Sequence, residues 1–293
     1  MSAVGRPGAW VRAMPAVFVL IWSTGFIVAR YGMPYAPPFK FLALRYALSM
    51  ACFLAWARIG RADWPRGRAQ WGHLAVVGVL MQAGYLGGVW AAVHAGMGSG
   101  LTALMVGIQP VLTAVWLSLR GGAVSKRQWL GLLLGFAGLF LVVLRKLEQG
   151  GEVSAQTMSL ALIALFSITA GTLYQKRHLA PCDVRSANAI QMAAALLVTL
   201  PFALLEPQAI EWNASSTGAM AWSVLALSLG GSSLLYLLIQ RGTATAVTSL
   251  LYLVPPCTAL MAWLLFGEPI SVLTVAGIAV TAAGVSLVVR QPR

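Results

Sequence analysis

Long stretches without Asp, Glu, Lys or Arg recur along the chain. They cover 13–29, 69–119, 128–144, 153–175, 186–205, 212–240, 242–267 and 269–289. A helix that crosses the hydrocarbon core of a bilayer needs about 20 apolar residues. The longest stretch, 69–119, therefore holds two such helices, with a turn at the glycine-rich residues 96–100.

The pattern predicts an all-α integral membrane protein with about ten transmembrane helices. The expected spans are 13–31, 39–58, 72–95, 99–119, 127–146, 157–176, 186–205, 218–240, 245–265 and 270–290. Transmembrane strands would instead alternate apolar and polar residues over about ten positions. The first span follows two arginines, as in a signal peptide. It lacks a clear small-residue cleavage site, so we expect it to be retained.

A shift of 146 residues superimposes the two halves of the sequence without gaps. Matched pairs are Gly25 with Gly171, Gly96 with Gly242, Pro110 with Pro256, Gly121 with Gly267, Ser125 with Ser271 and Gly131 with Gly277. Glycine and proline each constrain the backbone, so these matches indicate a true repeat. Five helices in each half make the second repeat inverted, which is typical of transporters. The predicted domains are 1–146 and 147–293.

Composition agrees with a membrane protein. The chain is 59% hydrophobic and only 9% charged, whereas soluble domains carry about 25% charged residues. The net charge of +13 would suggest nucleic acid in a soluble protein. Here 15 of the 20 basic residues fall on one side of the ten-helix topology. By the positive-inside rule, that side is cytoplasmic and holds both termini. We expect no nucleic-acid partner.

Cofactor and metal chemistry have no signature in the sequence. Cys52, Cys182 and Cys257 are isolated and show no metal or redox spacing. No nucleotide-binding loop is present, which argues against ATP hydrolysis by this chain. We expect neither a metal nor a cofactor.

Several motifs resemble one transporter family. The first two spans carry Ile-Trp-Ser-Thr-Gly-Phe at 21–26 and Leu-Arg-Tyr at 44–46. The fourth carries Gly-Leu-Thr-Ala-Leu at 100–104 and Gln-Pro at 109–110, and the ninth ends Leu-Phe-Gly-Glu-Pro-Ile-Ser at 265–271. Together they resemble the EamA family of the drug/metabolite transporter superfamily, with two EamA repeats over essentially the whole chain. The resemblance implies a transporter of amino acids, related metabolites or drugs, often an exporter.

The two halves depart from that family pattern at one place. Gly267-Glu268 follows it in the second half, whereas the first half has Gly121-Gly122 at the equivalent position. A symmetric role for the glutamate is therefore not expected, and the two halves are expected to be unequal.

Trp90 and His94 form the sharpest candidate for substrate binding. They are four residues apart and share one helix face. Their repeat partners, Tyr236 and Gln240, have the same spacing. One interpretation is that both pairs face each other and line the substrate path. The other is an interfacial aromatic belt, because Trp and Tyr gather at membrane surfaces. Further aromatic candidates for the cavity are Trp22, Tyr85, Tyr174 and Tyr252, with core packing or interface anchoring as the alternative for each.

Pro110 and Pro256 predict paired breaks in the fourth and ninth spans. Proline leaves a helix carbonyl unpaired, and inside a membrane that group must face protein or water. The breaks either flank a central cavity, with Gln109 adding a side-chain amide, or serve only in packing.

Arg45 is the notable charge within a span. Buried arginines in membranes are costly and often functional. It could bind a substrate carboxylate. A structural role is the alternative, either by snorkelling outward or by pairing with Glu268.

The sequence thus predicts a secondary transporter that moves a small metabolite or drug-like solute across a bacterial-type inner membrane by alternating access, as an exporter. A non-transporting scaffold is an alternative. An intramembrane enzyme is weaker, because both Asp63 and Asp183 fall in loops. The expected partners are a small-molecule substrate and the lipid bilayer, and a monomer is compatible with the sequence.

Overall fold

A computed structural model describes residues 9–120, 125–140 except 128, 132, 135 and 139, then 151–241, 250–267, 270 and 272–289. Several residues singled out by the sequence lie outside these ranges. They are Gly121, Gly122, Gly242, Glu268, Ser271 and the predicted domain boundary at 146–147.

The described chain folds into successive helices, here numbered α1 to α10. They are α1 Ala9–Gly32, α2 Pro38–Ile59, α3 Arg68–His94, α4 Ser99–Leu119, α5 Trp129–Gly138, α6 Ala155–His178, α7 Val184–Leu205, α8 Ala214–Gln240, α9 Val254–Phe266 and α10 Val272–Val289. Seven of the described helices are long and apolar enough to cross a membrane, and three shorter apolar segments lie in α5, α9 and α10. The predicted all-α membrane fold is confirmed.

Polar residues just outside the apolar runs start several helices. Ser154 and Asn213 form capping boxes with Thr157 and Ser216 at α6 and α8. Asp183 caps α7 by accepting a hydrogen bond from the backbone N–H of Arg185. These side chains satisfy N–H groups that have no partner within the helix.

Three helices contain departures from regular α-helix that the hydrophobic pattern did not predict. In α3 the segment Val79–Gly84 is π-helical, and in α8 the segment Ser223–Ser232 is π-helical. In α4 the α-helix stops at Val106 and resumes at Gln109. The two π-helical segments occupy equivalent places, because a shift of 146 carries 79–84 onto 225–230. Such segments frequently occur at functional sites.

Helix packing follows the inverted repeat. The pairs α2–α7 and α4–α9 each join a helix to its own repeat partner. The contacts α1–α8, α1–α9 and α2–α8 recur as α6–α3, α6–α4 and α7–α3. A pseudo-two-fold relation between the halves therefore extends from the sequence to tertiary contacts.

The two ends of the bundle differ chemically at one matched contact. Where α3 meets α6, the rings of His73 and His178 stack with centroids 5.2 Å apart. The equivalent positions where α8 meets α1 are Ala219 and Gly32, and the Ala219 Cβ lies 3.5 Å from the place a Cβ on Gly32 would occupy. The same contact is thus aromatic and titratable at one end but small and apolar at the other.

Glycine permits the close approach of α3 to α6. A Cβ on Gly88 would lie 2.6 Å from the carbonyl oxygen of Leu160 and 2.9 Å from the backbone nitrogen of Ala164. Both are backbone atoms, so a side chain could fit only by separating the helices. Small residues allow such backbone contacts between membrane helices.

We expect Gly88→Ala to destabilise the protein by about 1–3 kcal/mol, because overpacking forces the α3 and α6 backbones apart. Thermal unfolding of the purified protein in detergent measures the effect. Gly72→Ala is the matched control on the same helix, since no atom lies within 4 Å of its added Cβ. Equal melting temperatures for both variants would contradict the close backbone contact.

Candidate functional site

The guanidinium of Arg45 lies inside the helix bundle. The residue is only 2% exposed. Its Nε donates a hydrogen bond to Ser228 Oγ in the π-helical segment of α8, at 3.1 Å. Its Cζ lies 5.8 Å from the centre of the Trp90 ring. Arg45 therefore does not snorkel to an end of the bundle, while the alternative partner, Glu268, lies outside the described residues.

A small cavity of about 20 Å³ adjoins this guanidinium. The side chains that line it include Trp22, Arg45, Gln82, Tyr85, Trp90 and Ser232. This space can hold about one water molecule but no metabolite. The conformation is therefore closed around the site, and a solute could be bound here only after the helices move apart.

A second cavity of about 10 Å³ lies beside the first. It is lined by Trp22, Met81, Gln82, Gln175, Gln191, Ser232, Leu235 and Tyr236. Trp22, Gln82 and Ser232 belong to both cavities. The two cavities are therefore neighbours, and we refer to them together with their polar lining residues, which come from both halves of the repeat, as the polar seam.

The π-helical segment of α3 places Gln82 at the centre of this seam. Its backbone carbonyl accepts a hydrogen bond from Tyr46 Oη at 2.8 Å, and its Nε2 donates to Ser232 Oγ at 3.4 Å. The shift of 146 pairs Gln82 with Ser228 and Arg45 with Gln191. A search of the predicted membrane spans for polar residues separated by 146 positions could have found these four residues.

Aromatic rings form part of the wall of the 20 Å³ cavity beside Arg45. Trp22 and Tyr85 stack with an interplanar angle of 2° and centroids 6.0 Å apart. Trp90 stacks on Phe41 at 4.7 Å. Three of the predicted aromatic candidates, Trp22, Tyr85 and Trp90, are therefore brought together around Arg45. The side chain of Tyr252 lies outside the described residues, although its backbone belongs to a short 3-10 turn before α9.

His94 and Gln240 lie at opposite ends of the bundle. His94 is exposed at the end of α3, and its Nδ1 lies 3.1 Å from the carbonyl oxygen of Met33 in the α1–α2 loop. Gln240 donates to the carbonyl of Cys182 in the α6–α7 loop, at 3.4 Å. Neither residue lines the two seam cavities. In this structure the pairs Trp90/His94 and Tyr236/Gln240 therefore do not face each other across the seam.

Tyr236 links the seam to the α6–α7 loop. It lines the smaller cavity, and its hydroxyl lies 2.9 Å from Cys182 Sγ. At the start of α7, Asp183 and Arg185 form an ion pair at 2.6 Å. The Arg185 guanidinium hydrogen-bonded to Asp183 lowers the pKa of that carboxyl. The associated stability is present at neutral pH and is lost in acid, as the pH falls through the lowered pKa.

Gln109 ties α4 to α6. Its side chain is fully buried, and its Nε2 donates to Thr172 Oγ1 at 3.0 Å. Pro110 is the second residue of the resumed α4 helix, and Pro256 is the third residue of α9. Both prolines lie in a first turn, where the missing N–H costs no helical hydrogen bond. None of these three residues lines the seam cavities, so their placement fits packing better than solute contact.

A double-mutant cycle tests the link between Gln109 and Thr172. We expect Gln109→Leu and Thr172→Val to be coupled by about 0.5–1 kcal/mol in unfolding free energy, because each removes the same hydrogen bond. Unfolding titrations in mixed micelles provide the four values. Thr24→Val on α1 is the control for Gln109→Leu, and strict additivity in both pairs would contradict the link.

Comparisons with known proteins agree on one family. The EamA-like transporter family matches the chain twice, over residues 13–144 and 156–290. The uncharacterized inner membrane transporter YedA of Escherichia coli is 28% identical, over 87% of this chain and 83% of its own length. A probable amino-acid metabolite efflux pump of Salmonella typhimurium is 23% identical, over 91% and 90%.

A solved crystal structure supports the fold. That chain is 18% identical and has a TM-score of 0.68, with 94% of this chain and 95% of the other covered. At this sequence identity, the structural similarity supports only the helical fold. The two family matches, which together span most of the sequence, carry the assignment. This chain belongs to the EamA-like transporter family.

Proposed function

We propose that this protein is a secondary transporter that exports a small organic metabolite across a bacterial-type inner membrane by alternating access. The observation that carries the proposal is the polar seam around Arg45, enclosed between two inversely related halves. Polar and charged groups inside a membrane protein are costly and mark solute pathways. Export is supported by the Salmonella relative, which is named as a probable amino-acid metabolite efflux pump.

The paired contacts of the two halves support the proposal of alternating access. All four helices of the α3–α6 and α1–α8 contacts contribute residues to the seam, and the two contacts exchange places under the pseudo-two-fold relation. If one contact opens while the other stays packed, the seam faces one side of the membrane. Exchange of the two arrangements turns it to the other side, as in other inverted-repeat carriers.

The roles proposed for individual residues follow their placement. Trp22, Tyr85 and Trp90 form the wall against which a solute packs. Arg45 and Gln82 provide polar contacts, and Tyr236 closes the far end of the seam. Gln109, Pro110 and Pro256 shape α4 and α9. We further propose that the protein is not an enzyme, that it functions as a monomer, and that both termini face the cytoplasm.

Flux into proteoliposomes tests the transport proposal. We expect saturable uptake or release of at least one member of a panel of amino acids, acylated amino acids, nucleobases, cationic dyes and simple metabolites. Parallel runs with and without a pH gradient separate proton coupling from facilitated diffusion or exchange. Empty vesicles are the control. A folded protein without flux for any member would favour the scaffold alternative.

Removal of the Trp22 ring tests the proposed wall. We expect Trp22→Ala to raise the KM for transport by about tenfold, equivalent to about 1.4 kcal/mol of binding free energy, because the solute loses its stacking surface. Trp116→Ala is the matched control, since that ring is 46% exposed on α4 and lines neither seam cavity. Equal effects of the two changes would refute the proposed wall.

His94→Ala and Gln240→Ala separate the two interpretations of the paired positions. Because both side chains bind loop carbonyls away from the seam, we expect transport rates within about twofold of the wild type. Initial rates at saturating and limiting solute measure this. A severe loss in both variants, with normal folding, would restore the hypothesis that the pairs line the path.

A further inference from the structure

Three buried N–H groups at the seam lack a hydrogen-bond partner. They are Arg45 Nη1, Gln175 Nε2 and Gln191 Nε2. Their residues are only 2%, 4% and 3% exposed. A buried donor without a partner is unfavourable, so native proteins rarely leave one without a reason. Here all three groups are donors and all belong to residues that line the seam.

The three donors come from both halves of the repeat. Arg45 lies on α2, and its repeat partner Gln191 lies on α7, the helix that packs along α2. Gln175 reaches the seam from α6. Each residue lines one of the two cavities that share Trp22, Gln82 and Ser232. A ligand in the opened seam could therefore accept hydrogen bonds from both halves at once.

From this arrangement we propose that the transported solute is an organic monoanion whose carboxylate binds Arg45. This inference rests on the proposed transport function and specifies its substrate class. Arg45 Nη1 donates to the carboxylate in a charge-assisted hydrogen bond, and the amides of Gln175 and Gln191 bind further acceptor oxygens. Nε remains on Ser228, which holds the guanidinium in place.

The charge balance of the seam favours an anion over a zwitterion or a cation. Among the described residues that line the two cavities, Arg45 is charged and none is acidic. The ammonium group of a free amino acid would therefore find no carboxylate there and would be repelled by the guanidinium. A doubly charged phosphate ester would exceed the single positive charge of the site. One carboxylate matches it.

The other residues that line the larger seam cavity indicate what kind of solute fits it. Trp22, Tyr85 and Trp90 offer ring surfaces, while Phe26, Val89 and Leu227 are apolar. Pockets of this kind bind an apolar group and orient it by a few polar contacts. An aromatic or aliphatic acid, or an amino acid whose amine is acylated, therefore fits the seam better than a sugar acid.

Phenylalanine and three of its derivatives test the proposal, because they share one side chain and differ in the charge of their end groups. N-acetylphenylalanine is an anion, phenylalanine a zwitterion, N-acetylphenylalaninamide neutral and phenylalaninamide a cation. Binding to the purified full-length protein in detergent is measured by calorimetry at about pH 6, where the amine of phenylalaninamide is protonated and the carboxyl of N-acetylphenylalanine is ionised. We expect the anion to bind at least tenfold more tightly than each of the other three. Equal or tighter binding of the zwitterion or cation would overturn the proposal.

Variants assign the selectivity to Arg45. We expect Arg45→Gln to abolish the preference for N-acetylphenylalanine over its amide, and Gln191→Leu to weaken binding of the anion several-fold. Lys40→Gln is the matched control, because it removes a positive charge from the same helix outside the two cavities and should leave the preference unchanged. A folded Arg45→Gln protein with unaltered preference would overturn the assignment. If that variant does not fold, the selectivity of the wild-type protein among the four compounds still tests whether the site prefers an anion.

Flux distinguishes failure of this inference from failure of the transport proposal. Proteoliposomes that bind the anion selectively but show no flux for any panel member would refute transport and leave the anion site intact. Proteoliposomes that carry cations or zwitterions without preferring the anion would refute the anion site and leave transport intact. Selective flux of the anion supports both.

Discussion

Burial of one guanidinium constrains the centre of this protein. Arg45 cannot exchange hydrogen bonds with bulk water, and in a bilayer an unsolvated charge is costly. Its neighbours must therefore provide polar atoms at membrane depth. The hydroxyl of Ser228 does so from one π-helical segment, and the Trp90 ring faces the guanidinium. These contacts tie α2 to α3 and α8 around the guanidinium.

The π-helical segments explain how the bundle provides polar atoms at membrane depth. A π-helical turn shifts the hydrogen-bond register and can release a backbone carbonyl. At Gln82 the carbonyl accepts the hydroxyl of Tyr46, while the side chain faces the seam. Because the segments recur at matched positions in α3 and α8, this local geometry belongs to the repeat rather than to one helix. Sharp kinks in helices commonly occur at such π-helical segments.

Much of the fold was accessible from the sequence, but less of the site. The uncharged runs located the membrane helices because placing a charged side chain in lipid has a large free-energy cost. Glycine and proline residues that match between the two halves at a shift of 146 located the repeat, because those residues constrain the backbone. Trp22, Tyr85, Trp90 and Arg45 were identified as candidates and do converge. Gln82, Gln175 and Gln191 were missed, because an amide in a long apolar run has no periodic signature. Helical spacing could not tell that His94 and Gln240 would bind loop carbonyls at opposite ends.

The mismatch between the two ends of the bundle has an energetic consequence. Two identical inverted halves would give inward-facing and outward-facing forms of equal free energy, populated equally. Here the stacked rings of His73 and His178 correspond to Ala219 and Gly32, so opening one end breaks different contacts from opening the other. A difference of about 1.4 kcal/mol would populate one form tenfold over the other. Under the proposed alternating access, the empty carrier would therefore open more often to one side, and solute from that side would reach the site more readily.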